Sequence, residues 1–183
     1  MKKLILFLIP LVFLSYSLDA KENYRRVQKK LTRSDQVYRL KDLNAVILWS
    51  ATYLSDELLN SEAGWIAKHY NLSQTEKADK LGELNAQKDE MGYFFVSFFS
   101  DQKKFSDLAN PRDGWDLRLE TAGERHKPVR IQKVKKPSPL EMKLYPYINS
   151  WSENYYVWFP INPSTPFQLA VYGPKGKSHL LWK

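Results

Sequence analysis

The chain has 183 residues, no cysteine and a formal net charge of +8. The lack of thiols excludes disulfide staples, cysteine-based catalysis, thiol redox chemistry and cysteine-ligated zinc. Aromatic residues make up 14% of the chain and prolines outnumber glycines, ten to seven, which points to frequent turns, few long helices and a mainly β domain.

Met1-Lys2-Lys3 is a short basic start, followed by an apolar run from Leu4 to Leu14 and by small and polar residues up to Ala20. This is the three-part layout of a secretory signal peptide, cleaved after Ser17 or Ala20. The run is shorter than the about 20 residues of a membrane-spanning helix, and Pro10 interrupts it, so an uncleaved anchor is the lesser reading. Export to the periplasm or the medium is expected. The remaining stretch, about 163 residues, is long enough to bury a core.

Residues 21–42 are polar and basic. Tyr24, Val27 and Leu31 have helical spacing, so the stretch reads either as a short amphipathic helix or as a partly ordered arm. From Leu43 to Leu54 apolar residues alternate as in a strand with one wholly apolar face; a buried helix is the competing reading. Ser55-Asp56-Glu57 starts a helix, Asn71-Leu72-Ser73 breaks it, and Ser73 with Glu76 forms a capping box that opens a second helix. The pair reads as a helical hairpin inserted at about residues 55–91.

Tyr93 to Phe99 is apolar on both faces and reads as a central strand. In Trp115-Asp116-Leu117-Arg118-Leu119-Glu120 one face is apolar and the other charged. Ala122-Gly123 turns the chain, and Val129-Arg130-Ile131 is expected to continue a return strand. Leu140, Met142 and Leu144 alternate next. Strands follow over Asn154–Phe159, Phe167–Val171 and His179–Trp182, separated by turn chemistry at 162–166 and 173–176. Roughly seven to eight strands at this spacing predict an immunoglobulin-like antiparallel β-sandwich, mainly β with some α+β content. The expected organisation is a signal peptide over 1–20, a basic N-terminal arm over 21–42, and one sandwich domain over 43–183 that carries the hairpin.

The order of these elements resembles a known group. Ala51-Thr52-Tyr53-Leu54-Ser55, a helical pair, an aromatic strand, Trp115-x-Leu-x-Leu119, Tyr145-Pro146-Tyr147 and Tyr155-x-Val-x-Phe-Pro160 together are similar to a loose family of exported bacterial immunoglobulin-like β-sandwich proteins of unknown function. The resemblance covers most of the chain beyond the signal segment. It implies the sandwich and export, and it brings no activity and no site residue.

Catalytic signatures are missing. His69, His126 and His179 lack metal-ligand spacing, and no Gly-x-Ser-x-Gly elbow occurs. Ser100 and Lys103 match the Ser-x-x-Lys spacing of penicillin-recognising enzymes without the companion motifs. Asp101, Asp107, Asn110, Asp113 and Asp116 gather hard oxygens, but their spacing fits no calcium loop and Lys103, Lys104 and Arg112 oppose a cation. No catalytic residue, metal or cofactor is therefore assigned.

Two candidate surfaces remain. Arg125, Lys127, Arg130, Lys133, Lys135 and Lys136 form a basic cluster with no acid between 125 and 136, suited to an anionic envelope component. Trp151, Tyr156 and Trp158 are candidates for stacking on a glycan. The expected function is a non-enzymatic, envelope-associated binding or accessory protein that engages an anionic or glycan surface or a partner protein. Peripheral membrane contact fits this reading, and the compartment argues against nucleic acid. The alternative is a cell-wall or carbohydrate-acting hydrolase using two Asp or Glu carboxylates across a cleft.

Overall fold

The computed structural model describes residues 23–183, so the signal segment 1–20 lies outside the described residues. Two compact units divide them: residues 23–30 with 56–87, and residues 31–55 with 88–183.

The first unit is helical. It contains α1 (residues 23–31, the last of which begins the second unit), α2 (Asp56–His69) and most of α3 (Gln74–Lys88). Asp56 and Glu57 sit in the first turn of α2 and Lys68 and His69 in its last, each complementing the helix dipole. The capping box forms as expected: the Ser73 N–H donates to Glu76 at 2.7 Å and the Glu76 N–H donates to the Ser73 hydroxyl at 3.2 Å. Tyr24 of α1 packs near Trp65 of α2 with ring centroids 6.0 Å apart, and Lys30 pairs with Glu57 at 3.2 Å. His69 stacks on Trp65 one turn away, 5.1 Å between centroids.

The second unit is mainly antiparallel β, with nine strands in two sheets. The strands are β1 (Thr32–Tyr38), β2 (Ala45–Tyr53), β3 (Gly92–Ser100), β4 (Asp116–Thr121), β5 (Glu124–His126), β6 (Arg130–Val134), β7 (Glu153–Phe159), β8 (Phe167–Gly173) and β9 (Gly176–Trp182). The larger sheet has the order β1-β2-β3-β7-β6 and the smaller the order β5-β4-β8-β9. Period-two alternation turns one face of each sheet into a shared core: Trp49, Phe94, Phe98, Tyr155 and Phe159 from one sheet meet Leu119, Leu169 and Trp182 from the other. Phe94 stands edge-on to Phe167 and Trp182 at 6.1 and 5.8 Å across this core. Polar links close one side, where the Trp49 indole N–H donates to the Ser178 hydroxyl at 2.6 Å and that hydroxyl donates to Asp35 at 2.5 Å.

Three sequence expectations change. The polar stretch 32–38, read as part of an arm, is the edge strand β1, paired along β2 through Thr32–Thr52 and Ser34–Ser50 hydroxyl contacts of 2.8 Å each. An edge strand buries little, so it carries no apolar alternation to read. The return strand after Ala122-Gly123 is only the short β5, and β6 crosses to the other sheet and pairs with β7, the Val129 N–H donating to the Trp158 carbonyl at 2.8 Å. Leu140, Met142 and Leu144 lie on a helix, α4 (Pro139–Leu144), whose start is fixed by a Ser138–Glu141 capping box with proline in the first turn. By contrast β3 is the middle strand of its sheet, and its outer face is buried too: Phe95 stacks on Tyr145 at 3.9 Å.

Candidate functional site

A groove of about 520 Å³ opens on the outer face of the larger sheet. Its floor is Leu48 of β2 and Phe99 of β3, which are register partners on the face opposite the core. Its wall is the turn that leads into β7. There the Asn149 side-chain oxygen accepts from the Trp151 N–H at 2.8 Å, the Ser152 N–H at 3.0 Å and the Ser152 hydroxyl at 3.1 Å. One amide thus braces the whole turn. Trp151 rises from it with 80% of its surface exposed, over the groove it lines.

The rim is polar and its charges cancel. Arg39 reaches Asp42 at 3.0 Å and Asp101 at 2.6 Å, and the Lys175 ammonium lies 3.1 Å from the other oxygen of Asp101. Asn44, Asn149 and Ser152 complete the lining. Such a site offers an apolar ring face, an apolar floor and hydrogen-bonding groups with little net charge.

The structure separates the three aromatic candidates. Trp158 is 6% exposed, with the Tyr93 ring stacked at 4.8 Å and the Arg130 guanidinium over its ring at 4.6 Å. Neither face of that indole is open to a ligand, which corrects its assignment to a stacking surface; cation–π and ring packing consume it. Tyr156 is half-buried and its hydroxyl donates to Glu141 at 3.1 Å. Only Trp151 of the three is displayed. Its groove partners Leu48, Phe99, Arg39 and Asp101 were not legible, because they come from strands and strand ends far apart in the chain.

The basic cluster is drawn to one side, since the chain passes from the edge strand β5 of one sheet to the edge strand β6 of the other. Its charges are unequal. Arg125 lies 3.4 Å from Glu120, and Lys133 pairs with Asp107 at 2.9 Å and with Glu153 at 3.2 Å. Arg130 donates to Gln132 and covers Trp158. Lys127, Lys135 and Lys136 are exposed. Half of the cluster therefore serves internal contacts.

The carboxylates of the loop between β3 and β4 also have structural partners. Asp113 is buried and accepts from the Asp107 N–H at 3.0 Å and the Asn110 amide at 2.6 Å. Burial alone would raise the Asp107 pKa, but the Lys133 ammonium, the Ala109 N–H and the Tyr155 hydroxyl outweigh it and hold the carboxyl below its ordinary range. Glu120 follows the same pattern: burial opposes, while Gln168, Tyr172 and Arg125 keep it ionised. Asp101 belongs to the groove rim. Among the described residues no group of His, Asp or Glu side chains is placed to hold a metal ion.

A larger concavity, about 750 Å³, lies within the helical unit. Its lining, which includes Arg26, Asn60, Lys68 and Lys77, is largely polar and contains no aromatic ring. No described helix is long and apolar enough to cross a membrane.

The chain matches no family model and no curated protein. One solved structure is similar to it: a novel protein of unknown function from Burkholderia pseudomallei, at 6% identity and a TM-score of 0.47, covering 91% of this chain and 86% of that one. So distant a likeness carries no argument about function.

Proposed function

We propose that this chain is an exported, envelope-associated, non-enzymatic binding protein built on an immunoglobulin-like sandwich, and that the groove beside Trp151 seats a glycan. The carrying observation is the Trp151 indole, 80% exposed on a turn braced by Asn149. An aromatic ring held open to water without contributing to a core suits the C–H face of a sugar ring, and the neighbouring amides and hydroxyl suit its hydroxyl groups. The compensated rim favours an uncharged stretch of polysaccharide. The basic start and apolar run of residues 1–20 support export.

The hydrolase alternative needs one carboxyl kept protonated as an acid. Asp107 and Glu120 are instead tied to structural partners, Asp107 to Lys133 and the Tyr155 hydroxyl and Glu120 to Gln168 and the Tyr172 hydroxyl.

The test is titration of the protein with soluble neutral cell-wall and surface polysaccharide fragments, followed by tryptophan fluorescence and affinity electrophoresis. Trp151→Ala should weaken binding by about thirtyfold, the about 2 kcal/mol of a stacked hot-spot ring. It should leave the unfolding midpoint unchanged, and the wild-type affinity should barely respond to salt. Wild-type protein that ignores every neutral glycan, or a Trp151→Ala variant that binds as well, would sink the groove reading.

A further inference from the structure

The loop joining β1 to β2 runs Arg39-Leu40-Lys41-Asp42-Leu43-Asn44. Connections of this kind are usually built from Gly, Asn, Asp and Ser, which accept turn geometry and water. Here two positions hold leucine, and they are 95% and 74% exposed. Leu43 also has a φ of +55°, in the left-handed region where a branched side chain is disfavoured relative to Gly or Asn. The loop is braced rather than slack. The Leu43 N–H donates to the Arg39 carbonyl at 2.8 Å, the Arg39 N–H donates to the Asn44 carbonyl at 2.9 Å, and Arg39 grips both Asp42 and Asp101. The fold holds two leucines out in water, one of them on a strained backbone, without burying either. Two leucines held out on one braced tip are suited to an apolar environment outside the chain.

The charges around the tip indicate what that is. Asp101 follows β3, and Arg39 and Lys175 converge on it, so the β1–β2 loop, the turn after β3 and the β8–β9 turn meet at this end of the unit. Lys41, Lys103 and Lys104 are exposed there, the last with its ammonium 4.8 Å from the Phe105 ring. The nearby acids Asp42 and Asp101 are both engaged by Arg39. Two projecting apolar side chains thus share this end of the unit with the exposed Lys41, Lys103 and Lys104.

We propose that this end docks on an anionic bilayer surface, with Leu40 and Leu43 entering the boundary of the acyl chains and Lys41, Lys103 and Lys104 meeting the headgroup phosphates. A shallow apolar insertion added to electrostatic attraction is the two-signal arrangement that gives reversible membrane attachment. A projecting tip, unlike a groove, has no walls to recognise a peptide or a sugar. Arg39, Asn44 and Asp101 belong both to the groove rim and to the bracing of this loop, but the residues placed on the bilayer, Leu40, Lys41, Leu43, Lys103 and Lys104, do not line the groove, so the two readings are tested separately.

The natural sequence has no cysteine, so a single environment-sensitive dye can be placed at Leu40→Cys and, in a separate protein, at Ala122→Cys in the β4–β5 turn at the other end of the smaller sheet. Each is mixed with vesicles of phosphatidylcholine alone and of equal parts phosphatidylcholine and phosphatidylglycerol. The dye at position 40 should shift to the blue with the anionic vesicles, and the dye at 122 should not. No shift at 40, or equal shifts at both positions, overturns the proposal, and the paired positions keep this readout valid whether or not residues 1–20 remain attached. In co-sedimentation, Leu40→Ser/Leu43→Ser should weaken anionic-vesicle binding by at least about tenfold. Lys41→Glu/Lys103→Glu/Lys104→Glu should abolish the preference for anionic over neutral vesicles. Unchanged sedimentation of both variants, with loss on reversing Lys127, Lys135 and Lys136 instead, would assign membrane contact to the β5–β6 side and overturn the role of the tip.

Discussion

Gly173 closes β8 where a single added methyl group has no room. A Cβ there would lie 2.1 Å from the Trp115 ring. That ring cannot step aside: its indole N–H donates to the Phe105 carbonyl at 2.7 Å and its edge packs on Phe98 at 5.0 Å. Gly173→Ala should therefore lower stability by about 1–3 kcal/mol, read as a lower denaturant midpoint with an unchanged slope. In the sequence this glycine reads as turn chemistry with Pro174 and Gly176. Its further reason is a tryptophan far back in the chain, and no local pattern reports that contact. Trp151 and Trp158 teach the same lesson. Seven residues apart, they look equivalent in the sequence, yet one is displayed on a braced turn and the other lies between Tyr93 and Arg130.

The elements that were legible are those whose pattern is local. The capping boxes are the clearest case, because Ser and Glu three residues apart each accept from the other's backbone N–H without help from the rest of the fold. Ser73–Glu76 announced α3. Ser138–Glu141 carries the same signal for α4, although the alternation of Leu140, Met142 and Leu144 has the period of a strand. In a helix this short Leu144 is buried while Met142 faces solvent, so the alternation has no sheet face to serve. Ser138→Ala should cost about 1 kcal/mol, with Ser138→Asp retaining most of the stability; equal loss in both would remove the cap from the account. The strands β1 and β6 were harder to read. Both are edge strands, and their polar faces carry no period-two contrast for sequence reasoning to use.

At the scale of the β unit, Asp107 ties the long loop after β3 to two strands of the larger sheet. It takes an ion pair from Lys133 of β6 and a hydrogen bond of 3.0 Å from the Tyr155 hydroxyl of β7. Its pKa is lowered in the fold despite partial burial, through Lys133, Ala109 and Tyr155. In the unfolded chain an aspartate titrates near about 3.9, so the unfolded state takes up this proton first as pH falls. The stabilisation is complete above that value and disappears as pH drops through the folded pKa. Asp107→Asn should therefore unfold at a lower urea concentration than wild type near neutral pH, and the two midpoints should converge below about pH 4. A gap that persists at low pH would assign the effect to geometry instead of charge.

What the sequence by itself determined is the mainly antiparallel β character, the two helices between β2 and β3, and the central position of β3. Each follows from period, capping or apolar runs that act over a few residues. Tertiary structure alone decided which strand joins which sheet, that the polar stretch after α1 completes the larger sheet, and which aromatic and charged side chains remain available. Leu48, Phe99, Arg39 and Trp151 share a groove only because β2 and β3 pair in one register and the turn before β7 folds over them. Register and sheet order are set by the burial of two apolar faces against each other, a condition on the whole chain that no segment contains.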